Sequence, residues 1–266
     1  MTVSTLYTTL WLITSAYAAP LGYYGSADAC SRAADTIPVT APAQVVCVPS
    51  DVAMPLALGS TQPPAATGPA ATAATPPAPS VDSSKVSAEG VAFVGDPKAP
   101  VTMAYWFDYQ CPFCRQVEET VVGQLMTDYV QPGKLRILFK NFAFLGPDSE
   151  TAALASDAVW EAAPDKFYQW HKAMFDMQGP ENSGWASKDK IIALTKTIPG
   201  IDAAKIEQLM TDHAAEYQKL IEADTAEGGA MGVNGTPGAI IGKQLLVGAE
   251  PYQQFKADID AELGSK

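Results

Sequence analysis

The sequence predicts an α/β fold with a helical insertion, preceded by a disordered Pro/Ala-rich linker, and three observations carry that prediction. An apolar run, Val101-Thr102-Met103-Ala104-Tyr105-Trp106-Phe107, gives way to a helical pattern at Cys111-Pro112-Phe113-Cys114. A second apolar, β-compatible run at Leu135 to Phe139 completes a parallel β-α-β unit. Beyond a long helical stretch, two short strands, Gly238 to Ile241 and Gln244 to Val247, surround Gly242-Lys243 and lead into a last helix, Pro251 to Leu263.

Taken from the N-terminus, residues 1–18 read as a signal peptide: Leu10-Trp11-Leu12-Ile13 forms an apolar core, and Ala16-Tyr17-Ala18 gives a small-x-small cleavage site after Ala18. The stretch is short for a transmembrane helix. No Lys or Arg precedes it, which leaves open an upstream start or an uncleaved segment that tethers the chain. Residues 19–54 form a short segment containing Cys30 and Cys47, and residues 55–85, dominated by Ala, Pro, Thr, Gly and Ser, read as a flexible tether.

The main domain is expected over 86–266. Gly95-Asp96-Pro97 makes a turn ahead of the first central strand, and the helix from the dithiol runs to about Val130, where Gln131-Pro132-Gly133 ends it. Helical patterns over Ser149 to Ala163, Asp165 to Met177, Lys188 to Thr197 and Asp202 to about Gly228 make up the insertion, at about 147–230. Pro164, Gly179-Pro180 and Pro199-Gly200 break it.

Chemistry concentrates at the dithiol. Pro112 suits the first helical position, which puts Cys111 at the N-cap and Cys114 inside the first turn. A thiolate at Cys111 faces unpaired N–H groups and the positive end of the helix dipole, so its pKa is expected below the free value of about 8.5. Cys114, held deeper, is the expected resolving thiol. Attack by the outer thiolate on a disulfide gives a mixed disulfide that the inner thiol resolves, and the same steps reversed donate a disulfide.

A structural zinc half-site and an inert thiol pair are the competing readings. Zinc normally takes four ligands, and the remaining Cys30, Cys47, His171 and His213 supply no second closely spaced pair. No metal and no organic cofactor is expected. Cys30 and Cys47 enclose sixteen residues, and a structural disulfide there would constrain a loop worth about 3 kcal/mol; a second exchanging redox pair and unpaired thiols are the alternatives. The formal charge of −12, from 17 basic and 29 acidic residues, offers nothing to nucleic acid or anionic lipid.

Over residues 86–266 the chain resembles the DsbA-like branch of the thioredoxin superfamily. The resemblance rests on Gly95-Asp96-Pro97-Lys98-Ala99-Pro100-Val101-Thr102 with Asp108-Tyr109-Gln110-Cys111-Pro112-Phe113-Cys114-Arg115, on Gly232-Val233-Asn234-Gly235-Thr236-Pro237, and on Leu246-Val247-Gly248-Ala249-Glu250-Pro251-Tyr252. It implies a thioredoxin-like fold and a cis bond before Pro237, with Thr236 and Pro237, beside Pro112 and Phe113, shaping a substrate-binding edge. It also implies an extracytoplasmic enzyme that oxidises exported protein thiols and is reset by a membrane redox partner. A reductase or isomerase, or a noncatalytic chaperone-like module, is the alternative.

Two positions depart from the family pattern. Phe113 stands where many members have His, which removes a polar neighbour of the thiolate and leaves the potential within about −120 to −270 mV. Tyr105 stands where a buried Glu is common, and a phenol with a pKa of about 10 is a poor proton acceptor. Asp108 is expected to be an exposed turn or cap carboxylate, with a substitute for that missing acid as the alternative, Glu118 and Glu119 a solvated face, and His171 and His213 packing or surface residues. Trp160, Phe167, Trp170 and Phe175 are expected in the core of the insertion or along an apolar groove.

Overall fold

The computed structural model describes residues 8–13, 18–24 and 44–49 as strands, and residues 81–265 continuously. The chain divides into two compact units, Met1–Ala74 and Thr75–Lys266. In the first, β1 (Thr8–Ile13), β2 (Ala18–Tyr24) and β3 (Gln44–Pro49) form an antiparallel sheet in the order β2-β1-β3. The apolar stretch read as an export-signal core is thus paired in β1, and Cys47 in β3 lies opposite Leu10. Cys30, the cleavage boundary's flanking residues 14–17, and residues 55–80 of the expected linker lie outside the described residues.

The second unit is built on a five-stranded sheet of β4 (Ala92–Val94), β5 (Val101–Phe107), β6 (Leu135–Asn141), β7 (Gly238–Ile241) and β8 (Gln244–Val247), in the order β4-β6-β5-β7-β8. β5 and β6 are parallel, from Val101↔Leu135 to Phe107↔Asn141, and the other pairings are antiparallel. The central β5 is covered on both faces, so it reads as a continuous apolar run. Its pleat sends Met103, Tyr105 and Phe107 into the main core, and Ala104 and Trp106 into a smaller cluster with Val86, Val91, Leu138, Val233 and Ile240.

Helix α1 spans 112–130. It starts as Pro112–Val117, widens into a π-helical stretch at Glu118–Val122, and continues through Gly123–Leu125 to a second wide turn at Met126–Val130. The insertion between β6 and β7 consists of α2 (Pro147–Ala162), α3 (Phe167–Asp176), α4 (Lys188–Thr195), α5 (Ala203–Asp212) and α6 (Ala214–Ala230); α7 (Tyr252–Gly264) closes the unit. The single helix expected from Asp202 to Gly228 is two, because the backbone at His213, with φ −106° and ψ 10°, leaves the helical region. Asp202 caps α5 by accepting from the N–H groups of Ala204 and Lys205.

α6 is fixed to the sheet by polar contacts that an apolar pattern does not reveal. Lys140, 1% exposed, pairs with Asp224 at 2.8 Å and Glu227 at 2.9 Å. Trp106 Nε1 donates to the Asp224 carbonyl at 2.8 Å, and a Cβ at Gly228 would stand 2.7 Å from that nitrogen. A glycine is therefore required where α6 crosses β5. On the opposite edge, the Ser83 N–H donates to the Gly242 carbonyl and Ser83 Oγ accepts from Gly242 N–H, joining residues that precede β4 to the β7–β8 turn.

Candidate active site

β5 delivers the chain to the dithiol, and Pro112 starts α1 immediately after it. Cys111 is the N-cap with φ −71° and ψ 118°, and its carbonyl accepts from the N–H groups of Cys114 and Arg115. Cys111 is 5% exposed and Cys114 is fully buried. Both thiols are free. Phe113, between them, is 58% exposed.

The Thr236–Pro237 peptide is cis, and the Thr236 carbonyl oxygen lies 3.4 Å from Cys111 Sγ. This brings together residues 125 positions apart in sequence. Hydrogen bonding from Cys114, helped by Thr236 and the backbone N–H groups of Cys114 and Phe113, outweighs burial and lowers the Cys111 pKa to about 6. Burial, together with the bond shared with Cys111, pushes Cys114 well above the ordinary thiol range. The two sulfurs of one motif are thus driven in opposite directions, one toward a thiolate and one toward a thiol.

Asp108 differs from its sequence expectation. It is 2% exposed, and its carboxylate accepts from Gln110 N at 2.7 Å, Ser149 Oγ at 2.6 Å, Phe144 N at 3.0 Å and Leu145 N at 3.1 Å. It ties the loop before Cys111 to the β6–α2 loop and to α2. Gln110 continues this anchoring: its amide donates to Leu145 O, Ser149 Oγ and Asn182 Oδ1 and accepts from Asn182 N. Gln178 donates to the carbonyls of Tyr109 and Cys111 at 2.6 and 3.1 Å. These holding residues come from distant parts of the chain, and no local motif marks them.

Glu118 is also a correction: it is 4% exposed, whereas Glu119 pairs with Arg115 at the surface, 2.7 Å away. The signal was in the spacing, since Cys114, Val117, Glu118, Val121, Val122 and Leu125 lie on one helical face. His171 is fully buried, with Nε2 3.0 Å from Glu118 Oε1 and Nδ1 2.8 Å from Tyr109 Oη. Tyr109 Oη lies 3.2 Å from Ser156 Oγ. A buried polar chain thus runs through the aromatic core of Phe107, Phe139, Phe167 and Phe175, whose rings all contact His171. His213 is at the surface beside Glu161, 3.0 Å away. Among the described residues, no group of three or more His, Cys, Asp or Glu could hold a metal ion.

The topology and a dithiol at the start of α1, facing a cis X-Pro loop, define the class as thiol-disulfide oxidoreductase. The chain belongs to the thioredoxin family, whose model matches residues 87–261, and lies in its DsbA-like branch. It is 27% identical over 184 residues to disulfide bond formation protein D of Bacillus subtilis (strain 168), a match spanning 69% of this chain and 82% of that protein. The crystal structure of oxidised BdbD from Bacillus subtilis superposes with a TM-score of 0.63 at 26% identity, covering 70% of this chain and 98% of the other. The thiol-disulfide exchange protein α-DsbA2 of Wolbachia pipientis gives 0.58 at 25% identity, covering 65% of this chain and 88% of the other.

Proposed function

We propose that this oxidoreductase works outside the cytoplasm and introduces disulfides into exported proteins. Cys111 is the sulfur attacked by substrate, Cys114 the resolving sulfur, and Thr236 and Pro237 the backbone edge beside which substrate lies. In the oxidising direction a substrate thiolate bonds to Cys111 Sγ, the Cys111–Cys114 bond breaks, and Cys114 leaves with the electron pair. A second substrate thiolate then attacks the substrate sulfur of the mixed disulfide and expels Cys111 as a thiolate. The dithiol carries both electrons, and a membrane redox partner with an oxidised disulfide or quinone takes them to reset the site.

The observation that carries this reading is the geometry of the dithiol: Cys111 caps the start of α1 with its Sγ 3.4 Å from the Thr236 carbonyl of the cis Thr236–Pro237 loop, Cys114 is fully buried behind it, and these surroundings favour the Cys111 thiolate. A stabilised thiolate favours the reduced form, makes the disulfide more oxidising and makes Cys111 a good leaving group. The relative named for disulfide bond formation supports the same direction, and the one named for thiol-disulfide exchange supports the chemistry. The export-signal reading of residues 1–18 and a structural bridge between Cys30 and Cys47 are consistent with an oxidising compartment. No helix among the described residues is long and apolar enough to cross a membrane.

Equilibration with a glutathione redox buffer tests the direction. An oxidase requires a potential above about −200 mV, and a value near about −250 mV would make the protein a reductase. N-terminal sequencing of the mature protein from its host tests cleavage after Ala18.

A further inference from the structure

The turn that leads into the dithiol is held by a side chain from the helical insertion. Cys111 N–H donates to the Asp108 carbonyl at 3.1 Å, which closes the turn 108–111. The Tyr109 carbonyl, inside that turn, and the Cys111 carbonyl, at its end, both accept from Gln178 Nε2, at 2.6 and 3.1 Å. Carbonyl oxygens only accept, so the nitrogen of the Gln178 carboxamide must face them, and its two hydrogens match the two acceptors. One carboxamide thus joins the turn to the N-cap of α1.

The Cys111 carbonyl is a sensitive place to hold. Pro112 has no N–H, so the Cys111–Pro112 peptide is oriented through this oxygen alone. The oxygen also accepts from Cys114 N–H and Arg115 N–H, at 3.1 and 3.2 Å, both within α1. Among the described residues, its partner from outside α1 is Gln178. Turning this peptide changes ψ of Cys111, 118° here, and with it the direction of Sγ relative to the N–H groups of Phe113 and Cys114.

Gln178 is itself anchored. Its N–H donates to the Phe175 carbonyl in α3 at 3.1 Å. Gly179 packs so closely on Trp185 that a Cβ there would stand 2.7 Å from the Trp185 Cβ. Further along the connection between α3 and α4, Asn182 N–H donates to Gln110 Oε1 at 2.6 Å, and the N–H groups of Gly184 and Trp185 donate to Asp148 Oδ2 at 2.8 and 3.1 Å. The connection is therefore a strap pinned to the dithiol turn and to α2.

The two redox forms need this clamp unequally. In the disulfide form the Cys111–Cys114 bond holds Cys111 Sγ covalently. In the dithiol form that bond is gone, and the place of Sγ depends on how firmly the Cys111 backbone is held.

We propose that Gln178 is a positioning residue of the dithiol: by clamping the carbonyls of Tyr109 and Cys111 it keeps Cys111 Sγ over the first N–H groups of α1 and beside the Thr236 carbonyl, chiefly in the reduced form. The inference rests on the dithiol chemistry proposed above. It adds that the insertion, through a residue 67 positions from Cys111, sets part of the potential. Loss of the clamp destabilises the reduced form and makes the disulfide less oxidising.

Gln178→Met keeps the length of the side chain and donates no hydrogen bond. Full-length wild type and variant are equilibrated with glutathione, and the state of Cys111 is read by mass mapping. In this exchange two glutathione thiols reduce the Cys111–Cys114 bond, leaving two protein thiols and one glutathione disulfide. The variant's equilibrium should shift toward the protein disulfide by about threefold to tenfold, the range that one or two neutral hydrogen bonds supply. Alkylation of Cys111 across pH should show its midpoint raised by about half a unit to one unit. In urea, the reduced variant should lose more stability than the oxidised one, by the same factor in the unfolding equilibrium.

An unchanged glutathione equilibrium and an unchanged midpoint in a folded Gln178→Met protein would overturn the proposal. So would equal losses of stability in the two redox forms, which is what a purely structural role produces. Should Gln178→Met fail to fold, Gln178→Ala, which leaves the two carbonyls to water, carries the same test. If Cys111 of the wild type titrated at the free-cysteine value of about 8.5, the dithiol reading would fall and the proposal with it, so the two failures are distinguishable.

Discussion

The two sulfurs of the dithiol, three residues apart, occupy surroundings of opposite construction. Around Cys111 the contacts come from the start of α1, the Thr236 carbonyl and the open side of the molecule, where Phe113 is exposed. Around Cys114 the surroundings are sealed in the core, with Tyr105 on β5 beside it and, one turn further along α1, Glu118 tied to His171 and through it to Tyr109. The Cys111 side provides charge stabilisation beside an edge where substrate can lie. The Cys114 side offers no access and handles a thiol that ionises only reluctantly. One motif therefore gives an acidic leaving group and a basic resolving group through surroundings alone, with no difference in the residue type itself.

Removing either sulfur is the largest disturbance of this contrast. Cys111→Ser should reduce disulfide exchange to background, whereas Cys114→Ser should still attack but accumulate a mixed disulfide, visible as a mass adduct on Cys111. Equal behaviour of the two variants would contradict the division of roles. Asp108→Ala comes next, because it strips the acceptor from four donors that join the dithiol loop to the β6–α2 loop and α2. It should cost about 3 kcal/mol or more in urea denaturation, since bonds to a buried charge are worth about 1.5–3 kcal/mol each.

The pH dependence of the reduced protein is a smaller effect with a definite sign. The folded-state pKa of Cys111, about 6, is below the unfolded thiol value of about 8.5. The resulting stability is fully present above the unfolded value and is lost as pH falls through about 6. Reduced protein should therefore lose about 2 kcal/mol between about pH 8 and about pH 5, relative to the oxidised form. An equal pH dependence of the two forms would show that the thiolate is not stabilised.

Smallest is the effect of Phe113→His. An imidazolium at this exposed position should lower the Cys111 midpoint by about half a unit, because solvent screens it, and should make the disulfide correspondingly more oxidising. A shift of two units or more would mean that position 113 controls the potential more strongly than the surrounding hydrogen bonds do.

The same contrast marks what the sequence made legible. β5, β7 and β8, the start of α1 and its end near Val130 follow from local signals: apolar runs, a proline at the first helical position and a Pro-Gly stop. The β6 strand continues past Phe139 to Asn141 through Lys140, a residue that reads as surface and is buried only because Asp224 and Glu227, more than 80 positions away, neutralise it. Asp108 departs from its expectation for the same reason: its partners come from the β6–α2 loop and α2 as well as from Gln110, and a carboxylate reads as solvated until those partners are known; His171 takes the packing role of its two expected ones. Glu118 is different, because helical spacing from Cys114 already put it on the buried face. Its charge outweighs that spacing in the sequence reading, which puts it on a solvated face, and the structure corrects this.

The most direct test of the central claim is residue-resolved alkylation of the reduced protein with iodoacetamide from about pH 4 to about pH 10, quenched and mapped by mass spectrometry. The account predicts that Cys111 is modified with a midpoint near about 6, while Cys114 stays slow and shows no titration in the ordinary thiol range. Cys111 titrating at the free-cysteine value of about 8.5, or Cys114 reacting first, would contradict it.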